Sequence, residues 1–211
     1  MAVAEAVAAL RAGRFVVLFD SSSREGECDL VIHASKAIPQ AIAFMRRHAG
    51  GLVCLATDKA TAEVLSLPYF HELLAATPLA PLASARMPYG EPPAFSILIS
   101  HRKTYTGVTD ADRSLTIREF ARLVAQNNGL RSSFLENFRS PGHVPLLIGR
   151  SLSERRGHTE LALRLCELAR LPPAVVLCEM LGKWKALGKR QARAFARARG
   201  LPFVEGRELI A

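Results

Sequence analysis

The sequence has no run of about 18 apolar residues, the length a bilayer-spanning helix requires, so no membrane segment is expected. Its first stretch, MAVAEAVAALRAG, carries Glu5 and Arg11 where a secretory signal stays apolar. A cytoplasmic protein is the expectation. Cysteine is scarce: Cys28, Cys54, Cys166 and Cys178 stand far apart, with no CxxC pair and no Cys/His knuckle spacing. That excludes a zinc ribbon and a thioredoxin-type redox motif. Three of the four lie in apolar runs (LVCLA, LRLCELA, VVLCEM), where buried, reduced thiols are expected. There is no internal repeat and no low-complexity tail.

What is present is enough apolar material for a core without disulfides: 211 residues, 49% hydrophobic, read as one catalytic domain over residues 1–211. A net charge of +9 raises the question of a polyanionic partner. Much of that excess falls in Lys183 to Arg199, where basic residues alternate with Ala186, Leu187, Ala192, Phe195 and Ala198. This is the pattern of a solvated amphipathic helix, so no nucleic-acid partner is expected.

Helices are expected over Val3–Ala12, Pro39–His48 and from Asp58 to about Leu65. Two more are expected, one from a capping box at Thr116–Glu119 to about Gln126 and one following Arg155–Glu160 to about Arg170. Strands are expected at Phe15–Phe19, Leu30–Ala34, Leu52–Ala56, Phe95–His101, Val144–Ile148, Ala174–Cys178 and Pro202–Val204. Asn127-Asn128-Gly129 reads as a break, and residues 70–93, with five prolines after residue 77 and no clean period, as a long loop that could cover a site. Helices and strands intermix, which gives an α/β (α+β) fold: a single domain with a mixed sheet flanked by helices.

Two segments invite chemistry. Asp20, Arg24, Glu25, Glu27 and Asp29 crowd four carboxylates and a guanidinium between two strands. Carboxylates held close together raise one another's pKa unless something positive compensates, and a divalent cation does so while leaving positions for substrate oxygens. A solvated acidic loop is the plain alternative. The second segment, Arg155-Arg156-Gly157-His158-Thr159-Glu160, precedes a helical run, so its backbone N–H groups and an arginine could hold a phosphate, and His158 could join a carboxylate on a metal. A lone histidine is as readily a structural one. Thr104 to Arg113 adds hydroxyls, a glycine and two aspartates after a strand, which a capped turn also explains.

Taken in order along the chain, R-E-G-E-x-D, AGGLVCLA, T-G-V-T-x-A-D-R-x-x-T-I, P-G-H-V, R-x-G-H-T-E and V-L-C-E resemble the 3,4-dihydroxy-2-butanone 4-phosphate synthase family. The resemblance implies a homodimer with active sites completed at the interface, ribulose 5-phosphate as substrate, and a lyase reaction of riboflavin biosynthesis. It also implies magnesium or manganese as the metal, with no organic cofactor. By the same resemblance Glu25 and His158 match metal ligands, and Glu27, Asp29, Glu179 and His143 match catalytic groups. Asp20, Arg24, Glu25, Thr106, Thr109, Arg155, Thr159 and Glu160 match substrate-binding positions. A GTP cyclohydrolase domain, which bifunctional relatives add, is not expected after the last strand. The competing readings are a metal-dependent sugar-phosphate enzyme of another reaction type and a basic nucleic-acid-binding module.

Overall fold

A strand made only of apolar residues is stable when both its faces are covered. Val16–Phe19 (β1), Cys28–His33 (β2) and Cys54–Thr57 (β3) are buried along their whole length. With Phe95–His101 (β4), Phe138–Ile148 (β5), Ala174–Glu179 (β6) and Phe203–Glu205 (β7) they form one mixed sheet, in the order β4-β5-β3-β6-β2-β1-β7. The β3/β5 and β1/β7 pairs are parallel and the others antiparallel. This is a computed structural model, and it describes residues 2–83, 86–126 and 129–210.

The helices are α1 (Ala2–Arg11), α2 (Pro39–His48), α3 (Lys59–Leu65), α4 (Phe70–Ala75), α5 (Asp110–Gln126), α6 (Leu130–Asn137), α7 (His158–Leu168), α8 (Lys189–Ala198) and α9 (Gly206–Ile210). Alternation along the strands sends Val17, Phe19, Leu30 and Ile32 to one face, against α2, α5, α6 and α8. Val16, Leu18 and Val31 go to the other, against α1, α7 and α9. The result is a three-layer α/β fold, as the intermixed pattern implied. All four cysteines are buried and free, and burial pushes the Cys28, Cys166 and Cys178 thiols up to about 12. Among the described residues no helix is long and apolar enough to cross a membrane.

Several expectations need correction. The Thr116–Glu119 capping box does not start a helix, because α5 already begins at Asp110. Thr116 is buried inside α5, where its hydroxyl donates to the Asp112 carbonyl and accepts the His101 N–H. Residues 70–93 are not all loop, since they contain α4 and a 3-10 turn at Ala80–Leu82. Helix α6 was not expected, β5 starts six residues before Val144, at Phe138, and the basic helix begins at Lys189 rather than Lys183. Helix α7 runs from His158 to Leu168, ending short of Arg170. Asn127 and Asn128 of the expected break lie outside the described residues.

The glycine of P-G-H-V is set by packing. A Cβ on Gly142 would sit 1.9 Å from the Ile99 carbonyl carbon and 2.2 Å from the Ser100 nitrogen, so β4 and β5 could not keep their spacing. Gly142→Ala is expected to cost about 3 kcal/mol or more, near the upper end for overpacked sites because the obstacle is backbone. A thermal melt of the variant measures it.

Candidate active site

The antiparallel β1/β2 pair, with Phe19 opposite Cys28, folds the acidic segment into a hairpin loop. Asp20 organises that loop from inside. Its Oδ1 accepts the Glu27 N–H at 3.1 Å, and its Oδ2 accepts the Glu25 N–H at 3.1 Å and the Arg24 guanidinium at 3.2 Å. Gly26 supplies the left-handed residue that the turn requires, at φ 69°. Crowding is thus relieved by fixed donors, and the loop presents Glu25 in one position.

The distant segment arrives through α7. Gly157 caps that helix, and the Glu160 carboxylate accepts the Gly157 N–H at 3.1 Å, the N-terminal device of a capping box. His158, at the first turn and buried, places Nδ1 3.2 Å from Glu25 Oε2 and Nε2 3.1 Å from the Glu27 carbonyl oxygen. One ligand atom each from Asp20, Glu25 and His158 lie within 4.8 Å of one another. Two cis ligands of an octahedral ion with bonds of 2.0–2.1 Å stand about 3 Å apart, so the Glu25–His158 separation fits such an ion.

Sheet register supplies the remaining carboxylates. Asp29 on β2 lies directly opposite Glu179 on β6, which puts both side chains on one face. Burial, then Glu179 and Glu25, push Asp29 up to about 7, although His158 pulls the other way. Asp29 Oδ1 is buried without a hydrogen-bond partner, 3.8 Å from His158 Nε2. Burial and the Glu25 charge likewise raise Glu27. Glu25 itself, despite burial, is pulled down to about 2 by His158 and Arg24. Burial would lower His158, but Asp29, Glu25 and Asp20 outweigh it and carry it to about 9. Glu179 is held by the Leu52 N–H at 2.8 Å. Against it packs Gly51, where a Cβ would lie 2.3 Å from Glu179 Oε2.

Next to the start of α7, Arg155 is buried, with Nη1 paired to Glu160 and Nε to the Pro92 carbonyl. Thr159 lies in the first turn of α7 and lines, with Glu25, Asp29, Arg155 and Glu179, a cavity of about 80 Å³. Glu160 stands behind Arg155. Its oxygens are taken by Arg150, Gly157 and Arg155, so it holds Arg155 and the helix end from behind. A Cβ on Gly157 would lie 2.4 Å from Arg155 Nη1 and 2.6 Å from Arg24 Nη2. Gly157→Ala therefore pushes both guanidiniums aside, and a rise of about tenfold in KM with a smaller change in kcat is expected from steady-state kinetics.

His143, Thr106 and Thr109 form a second group. The Thr109 hydroxyl accepts the Asp112 N–H at 3.1 Å, Asp112 accepts from Gly107 and Thr106, and His143 takes the Ser100 hydroxyl through its backbone N–H. Among the described residues, no hydrogen bond or ion pair joins this group to the Glu25–His158 group. Between β5 and β2 stand β3 and β6, a separation of about 14 Å at the usual strand spacing. Sequence reasoning missed Tyr89 and Glu91, which lie in the proline-rich segment and contact Glu25, Arg24 and Arg155. That segment gave no periodic signal. A groove of about 710 Å³ between α3, α7 and α9 lies behind Glu160, and its size is not matched by convergent chemistry.

A carboxylate–imidazole pair at the spacing of two cation ligands, three neighbouring acids in separated environments and arginines at a helix N-terminus define a metal-dependent enzyme for a small phosphorylated substrate. The family model of 3,4-dihydroxy-2-butanone 4-phosphate synthase matches residues 4–211. Curated relatives of that name are 39% identical in Archaeoglobus fulgidus (98% of this chain, 91% of the relative) and 40% identical in Methanothermobacter thermautotrophicus (99% and 94%). A crystal structure of a 3,4-dihydroxy-2-butanone 4-phosphate synthase in complex with two magnesium ions superposes with a TM-score of 0.80 at 29% identity, covering 100% of this chain and 95% of that one. The chain belongs to the 3,4-dihydroxy-2-butanone 4-phosphate synthase family. The family's members are lyases of riboflavin biosynthesis, which convert ribulose 5-phosphate to 3,4-dihydroxy-2-butanone 4-phosphate and formate.

Proposed function

We propose that Glu25 and His158 hold the divalent cation of this lyase, with Asp20 behind them, and that the rest of the site is divided by chemistry along the substrate. The observation that carries the assignment is the 3.2 Å approach of His158 Nδ1 to Glu25 Oε2, made by segments 133 residues apart. The relative solved with two magnesium ions supports a divalent cation in the site. The bound cation would polarise the substrate's adjacent oxygens and so stabilise the negative charge of an enediolate. Magnesium and manganese both suit this donor set.

Removing the proton on carbon 3 gives that enediolate. Water then leaves carbon 1, the skeleton shifts, and water returns as carbon 4 departs as formate, so the net change is loss of formic acid alone. Every step moves a proton, and the acids differ enough to divide the work. Asp29, lifted toward neutrality, is suited to take and return protons. Glu27 and Glu179 flank it as further acid/base groups. Arg155, Arg24 and Thr159 hold the phosphate beside the start of α7.

Thr106, Thr109 and His143 reach the substrate from a second copy of the chain. Exposed apolar residues flank both groups: Leu52 and Phe95 beside the first, Leu98, Tyr105 and Val108 beside the second. An isologous two-fold contact would cover these residues and complete two equivalent sites. The whole chain then works as one catalytic domain in a homodimer, and buried, reduced cysteines suit the cytoplasm. The direct test is formate release from ribulose 5-phosphate with and without magnesium. Folded protein that releases none at any magnesium concentration would overturn the reading.

A further inference from the structure

The segment from Met87 to Pro93 fills the anionic end of the site. Glu91 Oε2 stands 2.6 Å from Arg24 Nε and 3.7 Å from Arg155 Nε, and Glu91 Oε1 accepts the Arg156 N–H at 3.4 Å. Two guanidiniums and a backbone donor next to the start of α7 are the set a phosphate takes. Here a carboxylate from the same chain takes them. Beside it the Pro92 carbonyl accepts from Arg155 Nε at 3.2 Å, and the Tyr89 ring lies 4.4 Å under the Arg24 guanidinium. Burial, then the neighbouring Glu25 carboxylate, raise the Tyr89 hydroxyl.

Two observations bear on whether Glu91 stays there when substrate binds. The cavity beside the segment, about 80 Å³, has space for a few waters and not for a five-carbon sugar phosphate. In addition Arg24 Nη2 is buried with no acceptor, although Nε and Nη1 of the same guanidinium are paired. A carboxylate has two oxygens to offer these donors, whereas a phosphate has three and carries more charge.

We propose that Glu91 is a built-in occupant of the phosphate subsite, displaced by the substrate's phosphate, and that this exchange makes a phosphate dianion a condition for entry. An uncharged sugar lacks the charge to displace Glu91, so the residue sets specificity for phosphorylated substrates without touching the reacting carbons. Release of Glu91 also frees Tyr89 from Glu25, which couples phosphate arrival to opening of the metal end. The inference rests on the reading of Arg24 and Arg155 as phosphate binders.

The test uses inorganic phosphate as the probe and calorimetric binding to the full-length protein. Glu91→Gln should bind phosphate about tenfold more tightly than the unchanged protein, because the competing charge is gone. Glu91→Ala should show the same rise, so a folding defect in one variant does not decide the matter. Arg155→Ala should weaken binding and cancel the gain when combined with Glu91→Gln. If Arg155→Ala weakens binding but neither Glu91 variant tightens it, the built-in occupant is overturned and the phosphate reading stands. If Arg155→Ala binds phosphate as the unchanged protein does, the phosphate reading itself falls.

Discussion

Glu25→Gln is expected to lower formate production by about a thousandfold or more while the protein keeps its fold. The carboxylate is one of the two proposed protein ligands, 3.2 Å from the other, and a neutral amide of the same size cannot supply the negative charge that holds a hard cation. Loss of a charge-stabilising group at the reacting centre costs about two to three orders of magnitude, and loss of the ion itself costs more. The fold survives because the loop is organised by Asp20, whose three contacts do not involve the Glu25 side chain. His158→Ala should behave alike, since its imidazole is the other proposed ligand. Magnesium titration followed by calorimetry should show weakened binding in both variants. Full turnover by either one would refute the ligand pair.

Mixing two inactive variants should restore activity. Glu25→Gln removes the metal end of a site, and His143→Ala removes a group that the proposed arrangement takes from the neighbouring copy. If subunits exchange freely, about half of the dimers are mixed, and each mixed dimer holds one site built entirely from unaltered residues. Activity should then recover to about a quarter of that of the unaltered protein, against almost none for either variant alone. No recovery, with subunit exchange shown by differently tagged copies, would place His143 outside its neighbour's site. The experiment separates a site at an interface from a site within one chain, which the 14 Å or so between β5 and β2 makes the central question.

Much of the scaffold was legible because its signals are local and physical. The apolar runs of β1, β2, β3 and β6 and the Pro39 start of α2 sit close to where pattern places them. Misreadings occurred where a local signal competed with packing. Thr116-x-x-Glu119 has the form of a helix start, yet Asp110 and Thr109 begin that helix six residues earlier, and Thr116 is spent on the edge of β4. Proline spacing hid α4, and it hid the contacts of Tyr89 and Glu91, because a segment without period carries no sign of which side chains turn inward.

By itself the sequence determined the ordered motifs, the acidic loop, the basic helix as surface and the kind of chemistry the residues could support, since these follow from residue type and spacing. It could not decide which of them meet. The β1/β2 register aims the loop at the start of α7, the Asp29/Glu179 pairing sets two acids on one face, and Glu160 is drawn behind Arg155 by three donors. The tertiary structure also set His143, Thr106 and Thr109 apart from Glu25 and gave the Arg24 and Arg155 guanidiniums to Glu91. These are contacts between segments remote in sequence, fixed by strand order and close packing, and no local pattern encodes them.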